Sequence, residues 1–403
     1  MSQLGRLLKV GCAAALVAAY ASACGPAPNN VSDLDPHADT GPGFDLDGSG
    51  DGSGDALSID CKPACVPPQK CSITGTCIDG DSCVVDGDCK PGMKCITGET
   101  GKPTCLPGGD CGAESASADK VPSNVLIVLD RSCSMRSAVG TSTKWAIAVK
   151  AINDMTTKFK DKLRFGLIMF PDTDTDACHQ GKIPIPLAPA NETKIQTMMT
   201  SSLKTTDPYY PDGPCVTNID TGIQQAATDP GLDDKARSSY VLLITDGAQA
   251  GCTAGGGNPG TIKAITDLAT KRGVKTFVIG FGTGVDTGSL DQFATAGGVP
   301  AAPASPKFYK AEDAASLDKA LAAIGSTALG CVFKLGKTPP DTTKIFAFFD
   351  KTTEVPRDTT KTNGWDYDAA TNTVTFYGTY CADIKAEKVK AVDVVFGCNK
   401  PPA

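Results

Sequence analysis

Residues 123–135, S-N-V-L-I-V-L-D-R-S-C-S-M, decide the fold of this chain. The unbroken apolar run 125–129 ends in a carboxylate and two hydroxyls, which is typical of a strand that is buried on both faces and presents polar groups at its C-terminal end. Asp130, Ser132 and Ser134 place three hard oxygen donors on one tight loop, as a small divalent cation requires. Because Asp and Ser also form ordinary turns, the pattern predicts a metal site only if other loops supply more ligands.

Strand and helix patterns alternate over residues 121–330, which predicts a doubly wound, mostly parallel α/β sheet with helices on both faces. The predicted strands after the first are 163–170, a short hairpin partner at 183–187, 240–245 and 275–281. The predicted helices are 144–158, 194–203, one that opens near residue 218, 261–271, 289–294 and 312–324. The carboxyl ends of neighbouring parallel strands meet at one edge of such a sheet, so the loops that follow them share one rim.

Two further segments bring oxygen ligands to that rim. Asp246 follows a second apolar strand, as Asp130 follows the first, and Thr217 lies in a loop just before a helix. Together with Ser132 and Ser134 they give five oxygen ligands from three separate loops, which is most of the shell of a divalent ion. The alternative is that these residues only cap helices and turns in a metal-free domain.

About half of the chain, the alternating region, resembles a von Willebrand factor A (VWA) domain, and the five ligands match the metal-ion-dependent adhesion site of that family. The resemblance rests on D-x-S-x-S after an apolar strand, T-N before a helix and T-D-G after another apolar strand, in that order. It implies that Ser132 and Ser134 bind the metal directly, that Thr217 does so in one state of the site, and that Asp130 and Asp246 act mostly through water. The expected cofactor is Mg²⁺, with Mn²⁺ or Ca²⁺ as alternatives.

The donor set predicts what such a metal would bind. Hydroxyl ligands are neutral, so two carboxylates offset the charge of a divalent ion only in part, and one coordination position faces solvent. An Asp or Glu of a protein partner can complete the shell. The expected function is therefore metal-dependent binding of a protein, in adhesion or in scaffolding of a cell envelope. The alternative is a structural envelope component in which the metal only stabilises the fold.

An enzyme is not expected. A serine hydrolase needs a base, and the folded region offers only His179, in a loop without a nucleophile elbow. A zinc hydrolase needs histidines, and the chain has only two. The net charge of -7 favours neither nucleic acid nor an anionic membrane surface as a partner.

Cys133 stands between the two serines, where the VWA family usually has glycine. A disulfide from Cys133 to Cys252, on the loop after Asp246, would join two ligand-bearing loops, and Cys178 would then pair with Cys215. Cys215 is the rival partner for either Cys133 or Cys252. A staple of this kind would hold the predicted metal site rigid.

The chain holds eighteen cysteines, too many for a reducing compartment, so disulfides and an exported protein are expected. Arg6 and Lys9 precede a short apolar run that ends in A-S-A-C, which predicts a signal peptide over residues 1–23. Small residues before Cys24 resemble a bacterial lipobox. They predict lipidation of Cys24 and a membrane-anchored lipoprotein of a bacterial cell envelope, on the periplasmic or the surface face, similar to bacterial VWA-domain lipoproteins. Ordinary cleavage after the A-x-A motif is the alternative.

Three further segments flank the main domain. Residues 24–60 are rich in Gly, Asp, Ser and Pro and predict a disordered acidic tether. Residues 61–111 carry nine cysteines, in two similar sets of four plus Cys111, and predict a disulfide module that serves as a spacer or as a binding module. Residues 331–403 predict a small β-rich module, with strands at 344–349, 365–367, 373–377 and 392–396. That module contains Cys331, Cys381 and Cys398, so one cysteine is expected to pair outside it.

Overall fold

The computed structural model describes residues 61–90, 93–97, 102–107, 114–173 and 176–396. The predicted signal peptide and tether, together with Cys24, Cys111 and Cys398, lie outside these residues. Within the described part of the chain, no helix combines the length and the apolar composition that crossing a membrane requires.

The cysteine-rich segment consists of two small hairpins with the same disulfide pattern. The first pairs β1 (Lys70–Cys71) with β2 (Cys77–Ile78), and the second pairs β3 (Met93–Thr97) with β4 (Pro103–Pro107), both antiparallel. In each set of four cysteines the first bonds the third and the second bonds the fourth. The four bonds are Cys61–Cys71, Cys65–Cys77, Cys83–Cys95 and Cys89–Cys105. The weak sequence repeat is therefore a structural repeat in which disulfides stand in for a hydrophobic core.

Asp88 joins the two hairpin units. Its carboxylate accepts hydrogen bonds from the Ser72 hydroxyl and the backbone N–H of Ile73 in the first unit, and from the backbone N–H groups of Val84 and Val85 in the second. Burial raises the pKa of Asp88, but these hydrogen bonds outweigh burial and lower it to about 2. The carboxylate is therefore ionised at neutral pH and links both units.

The main domain follows two short strands, β5 (Glu114–Ala116) and β6 (Ala118–Lys120). Its own strands are β7 (Ser123–Asp130), β8 (Ala138–Val139), β9 (Ser142–Thr143), β10 (Leu163–Phe170), β11 (Ile185–Ala188), β12 (Ser239–Thr245), β13 (Lys275–Phe281) and β14 (Tyr309–Ala311). Strands β8 and β9 form a small separate hairpin. The other six form one sheet in the order β11-β10-β7-β12-β13-β14, in which β11 is antiparallel and the rest are parallel. The predicted sheet class is confirmed, and β7 lies near its centre.

Helices of the described region cover both faces of this sheet. They are α1 (Lys144–Lys158), α2 (Glu192–Ser201), α3 (Ile219–Ala226), α4 (Gly257–Arg272), α5 (Thr287–Ala296) and α6 (Ala314–Ala328). Alternate residues of β7 point to opposite faces. Val125, Ile127 and Leu129 pack with α1, α2 and α6, whereas Leu126 and Val128 pack with α3, α4 and α5. All five are fully buried, which is the reason for the unbroken apolar run.

The C-terminal module is a sandwich of two four-stranded antiparallel sheets around one hydrophobic core. Its elements are β15 (Val332–Leu335), β16 (Ile345–Phe349), β17 (Thr353–Val355), β18 (Gly364–Asp368), β19 (Thr373–Tyr377), α7 (Gly378–Lys385) and β20 (Val392–Phe396). Strand β6 pairs with β15 at the edge of one sheet, and β5 pairs with β20 at the edge of the other. Strands from both sides of the main domain therefore build the sandwich, and the main domain is inserted between β6 and β15.

Two further contacts fix this module. A disulfide joins Cys331, just before β15, to Cys381 in α7. The second cysteine-rich hairpin packs on the sandwich, because Ile96 lies against the small apolar cluster of Phe348 and Val395. The second hairpin unit is thus attached to the C-terminal module.

Candidate metal centre

The rim of the sheet brings the two predicted carboxylates together. Strands β7 and β12 are parallel neighbours, with Leu129 beside Ile244 in the register. Asp130 ends β7, and Asp246 is the first residue after β12, so the parallel pairing of the two strands places both at the same edge. Both carboxylates are buried, with exposed fractions of 0% for Asp130 and 3% for Asp246.

Two hydrogen bonds orient the Asp130 carboxylate. Its Oδ1 accepts from the backbone N–H of Ser132 at 2.8 Å, and its Oδ2 accepts from the hydroxyl of Thr245 at 2.7 Å. Thr245 is the last residue of β12, so the second strand fixes a ligand that the first strand carries. The sequence reasoning missed Thr245, although it is the first residue of the T-D-G motif.

A chain of hydrogen bonds joins the two serines to Asp246. The hydroxyl oxygens of Ser132 and Ser134 are 2.9 Å apart, and the Ser134 hydroxyl donates to Oδ1 of Asp246 at 2.7 Å. Neighbouring ligands in an octahedral Mg²⁺ shell of radius about 2.1 Å lie about 3 Å apart. Ser132 and Asp246 are buried and Ser134 between them is exposed, so the row of oxygens reaches solvent at Ser134.

Thr217 lies on the third loop, where its backbone fixes its position. It forms an isolated antiparallel bridge with Ala250, in which the N–H of each residue donates to the carbonyl of the other at 2.9 Å. Ala250 is on the loop that follows Asp246, so the bridge joins the second and third ligand loops. Among the described residues, the Thr217 hydroxyl makes no hydrogen bond to the other four predicted ligands. Hydrogen bonds thus connect four of the predicted ligands to one another, whereas Thr217 is held in place by its backbone.

Two disulfides tie the rim loops together, in a pairing that differs from the prediction. Cys133 bonds Cys215, and Cys178 bonds Cys252. The predicted pairs Cys133 with Cys252 and Cys178 with Cys215 are wrong, and the rival partner Cys215 is the correct one for Cys133. Cys215 and Cys252 each lie two residues beyond the isolated bridge of Thr217 with Ala250, on the two loops that this bridge joins. Side-chain direction then decides which of them meets Cys133, and sequence spacing does not encode that direction.

Cys133 fits the loop in the place where the family usually has glycine. It opens the 3₁₀ helix Cys133–Arg136, whose backbone angles are accessible to any residue. Its disulfide reaches Cys215, two residues before Thr217. The departure from the family pattern therefore joins the serine loop covalently to the threonine loop.

Lys144 is a charged residue of this centre that the sequence pattern does not indicate. It is the first residue of α1, and its Nζ lies 2.6 Å from Oδ2 of Asp246. The Lys144 side chain is 13% exposed and that of Asp246 is 0% exposed. A lysine at the start of a helix carries no sequence signal for such a contact, because the contact depends on how α1 lies against the loop after β12.

Arg131, between the first two ligands, is likewise absent from the sequence prediction. It is fully buried. Its guanidinium donates to the backbone carbonyls of Pro171 at 2.8 Å and Pro208 at 3.1 Å, and also to that of Gly213. The five N–H groups of a guanidinium suit such a set of acceptors. One side chain therefore ties the serine loop to two other loops of the rim.

A family model of the von Willebrand factor type A domain matches residues 124–323, a range that contains all five predicted ligands. This part of the chain is a von Willebrand factor type A domain. The VWA domain is thus the α/β domain inserted into the β-sandwich. No curated protein sequence matches the chain.

Several solved structures are similar to this chain over about half of its length. Proximal thread matrix protein 1 from the mussel byssus is 18% identical, with a TM-score of 0.39, and the match covers 54% of this chain and 50% of that chain. An aerotolerance-related membrane protein from Bacteroides fragilis is 16% identical, with a TM-score of 0.37 and coverage of 51% and 99%. The manganese-loaded TRAP protein of Plasmodium vivax is 15% identical, with a TM-score of 0.39 and coverage of 56% and 83%. The chain spans about half the length of the first of these.

The electrostatics of the VWA rim fit a divalent cation. Burial raises the pKa of Asp130 above its usual range, and the charge of Asp246 raises it further, against the hydrogen bonds from Thr245 and Ser132. Two buried carboxylates that repel each other are stabilised by a positive charge between them. Hydroxyls and carboxylates are also the hard oxygen donors that Mg²⁺, Mn²⁺ and Ca²⁺ prefer. Two groups of three cysteines elsewhere are close enough to hold a metal, but all six form disulfides.

Proposed function

We propose that this protein binds a protein partner through a divalent metal held at the rim of its VWA domain. The observation that carries the proposal is the hydrogen-bonded row of Ser132, Ser134 and Asp246, with Asp130 fixed beside it by Thr245. These residues and Thr217 would hold the ion, Mg²⁺ or in its place Mn²⁺ or Ca²⁺.

The chemistry of the donor set supports binding of a carboxylate. Ser132, Ser134 and Thr217 contribute neutral hydroxyls, so a bound divalent ion keeps part of its positive charge. Ser134 is exposed, which leaves the outer side of the row open to a partner. An Asp or Glu side chain of that partner would add the missing negative charge and complete the shell.

The proposed location is outside the cytoplasm, on a bacterial cell envelope. The described residues contain seven disulfides, and bonds of this kind persist in oxidising compartments. Lipid anchoring through Cys24 rests on the sequence motif alone. Adhesion to another protein or scaffolding of the envelope is the biological role that we infer for such an anchored binding domain.

We also propose that the rim does not catalyse a reaction. The usual activating base of a nucleophilic serine is a histidine, whereas Ser134 donates to Asp246, a carboxylate that is already paired with Lys144, and shares a hydrogen bond with Ser132. His179 is exposed on a neighbouring loop. These contacts favour ion binding by the serines.

Calorimetric titration of the purified protein with Mg²⁺ and with Mn²⁺ tests the metal site. We expect binding to the wild type and its loss in Asp130→Ala and Ser132→Ala, because each variant removes a donor or its orientation. Asp154→Ala is the matched control, since Asp154 is an exposed acid on α1 paired with Lys150.

Crosslinking pull-down from intact cells, with and without a chelator, tests the partner. Capture should fall when the chelator is present and in both rim variants, and should persist in the control. If capture survives in the variants while chelation lowers only the melting temperature, the metal is a stabilising ion and the adhesion proposal is wrong.

A further inference from the structure

Lys144 occupies the metal centre without being one of its ligands. Its ammonium lies 2.6 Å from Oδ2 of Asp246, the carboxylate whose other oxygen accepts a hydrogen bond from Ser134. The side chains are 13% and 0% exposed, so little water screens the pair. Charges in such surroundings interact much more strongly than an ion pair on the surface.

The start of helix α1 is an unfavourable position for the positive charge of Lys144. This lysine is the first residue of α1, and the N-terminus of a helix carries a partial positive charge that disfavours a cation. The side chain does not turn into solvent but reaches across to the loop that follows β12. The contact with Asp246 is therefore the interaction that offsets the cost of this placement.

Gly282 leaves the room that the lysine needs. A Cβ at position 282 would lie 2.8 Å from Cε and 2.9 Å from Nζ of Lys144. Gly282 also has φ 107°, a backbone conformation that residues with side chains rarely adopt. Two elements of the fold, the start of α1 and the end of β13, thus cooperate to place an ammonium at the rim.

We propose that Lys144 is a built-in counter-ion of Asp246 that competes with the divalent metal and lowers the affinity of the site for it. The inference rests on the proposed function, because it requires that Asp246 help to hold a metal. Two cations that share one carboxylate repel each other, and each weakens the hold of the carboxylate on the other. The same ammonium offsets part of the negative charge of Asp246. A bound ion therefore keeps more of its positive charge and attracts a partner's carboxylate more strongly.

Titration with Mn²⁺ alone, followed by calorimetry, tests this proposal on the full chain. Lys144→Met removes the ammonium, and we expect it to bind Mn²⁺ roughly tenfold or more tightly than the wild type. Lys144→Gln keeps a hydrogen-bond donor near Asp246 but removes the charge, so it should tighten binding in the same direction. This second variant also serves if the methionine variant folds poorly, and circular dichroism checks the fold of both.

Lys150→Met is the matched control. Lys150 lies on the same helix, its side chain is 69% exposed, and it pairs with Asp154. Its removal should leave Mn²⁺ affinity unchanged. If both Lys144 variants bind Mn²⁺ with the affinity of the wild type or more weakly, the inference is overturned and the proposed function stands. If the wild type itself binds no metal, the proposed function fails first.

Discussion

At the scale of single residues, the rim depends on a buried arginine that contacts backbone oxygens. Arg131 is fully buried, and burial lowers its pKa, against the charges of Asp172 and Asp212. The guanidinium remains the donor for carbonyls on loops 171–173 and 208–213. If the side chain were removed, the carbonyls of Pro171, Pro208 and Gly213 would lose this donor. Arg131 therefore stabilises the arrangement of loops that carry the predicted metal ligands.

Arg131→Met should lower the free energy of unfolding by roughly 3 kcal/mol or more, because several buried carbonyls lose charged hydrogen bonds at once. Urea unfolding followed by fluorescence measures the change. Arg136→Met, at an exposed position five residues further along the chain, should change the midpoint very little. Equal midpoints for the two variants would contradict the role assigned to Arg131.

The positions of the two candidate carboxylate ligands could be predicted from the sequence because they follow apolar runs that form buried strands. Asp130 and Asp246 each come directly after an apolar strand, and parallel strands bring such ends together. Lys144 and Arg131 could not be predicted, because a lysine and an arginine are usually solvated. Their positions depend on the packing of α1 and of loops distant in sequence, which no local pattern records.

At the scale of elements, two disulfides join the loops of the rim covalently. The bond between Cys133 and Cys215 joins the serine loop to the loop of Thr217. The bond between Cys178 and Cys252 joins the loop after β10 to the loop after β12. Cys133 lies between Ser132 and Ser134, and Cys215 is two residues before Thr217. The cysteines of the second bond lie further from the predicted ligands in sequence.

Replacing Cys133 and Cys215 together by serine should weaken Mn²⁺ binding, because the ligand loops would have to be ordered when the metal binds. We expect a loss of roughly tenfold, with the double variant Cys178→Ser and Cys252→Ser as the matched control with a smaller loss. Calorimetry gives both affinities. Losses of equal size would mean that the first bond has no special relation to the metal site.

Element boundaries could be predicted closely wherever local pattern and burial agree. The helix predicted at 144–158 and the strands predicted at 163–170, 275–281, 373–377 and 392–396 have the same bounds in the structure. Helix α4 begins at Gly257 and not at the predicted residue 261, because the buried carboxylate of Asp220 accepts a hydrogen bond from the Gly257 backbone N–H at 2.8 Å. That contact joins the first turn of α3 to the start of α4, so the sequence around Gly257 does not show it.

At the scale of the whole molecule, the C-terminal module is completed by strands from the other side of the VWA domain. The predicted module, 331–403, does not include β5 and β6, because two three-residue strands have too little pattern to be recognised. Ala116 in β5 is buried in the sandwich core, and β6 pairs with β15 through Lys120 and Phe333. The segments that enter and leave the VWA domain therefore both come from strands of the sandwich.

Ala116→Asp should destabilise the sandwich by roughly 3 kcal/mol or more, because a charge would be buried without a partner. Urea unfolding of the full chain measures this effect. Asp119→Ala, at an exposed position in β6, should stay within about 0.5 kcal/mol of the wild type. Mn²⁺ affinity should be unchanged in the folded fraction of both variants. A sandwich that tolerates the aspartate would show that β5 is not part of its core.

The insertion also decides how a pulling force would travel through the molecule. Strand β7 runs from Ser123, next to the sandwich, to Asp130 at the rim, a distance of roughly 25 Å at the usual rise per residue. Its entry is closed by a hydrogen bond from the Val121 N–H to the carbonyl of Val332, at 2.8 Å. If a partner bound at the rim were pulled, the force would act along this central strand. It would reach the sandwich where the segments that enter and leave the VWA domain lie side by side. The entering and leaving segments would then share the force, so that a pull on the rim would not separate them and unfold the domain.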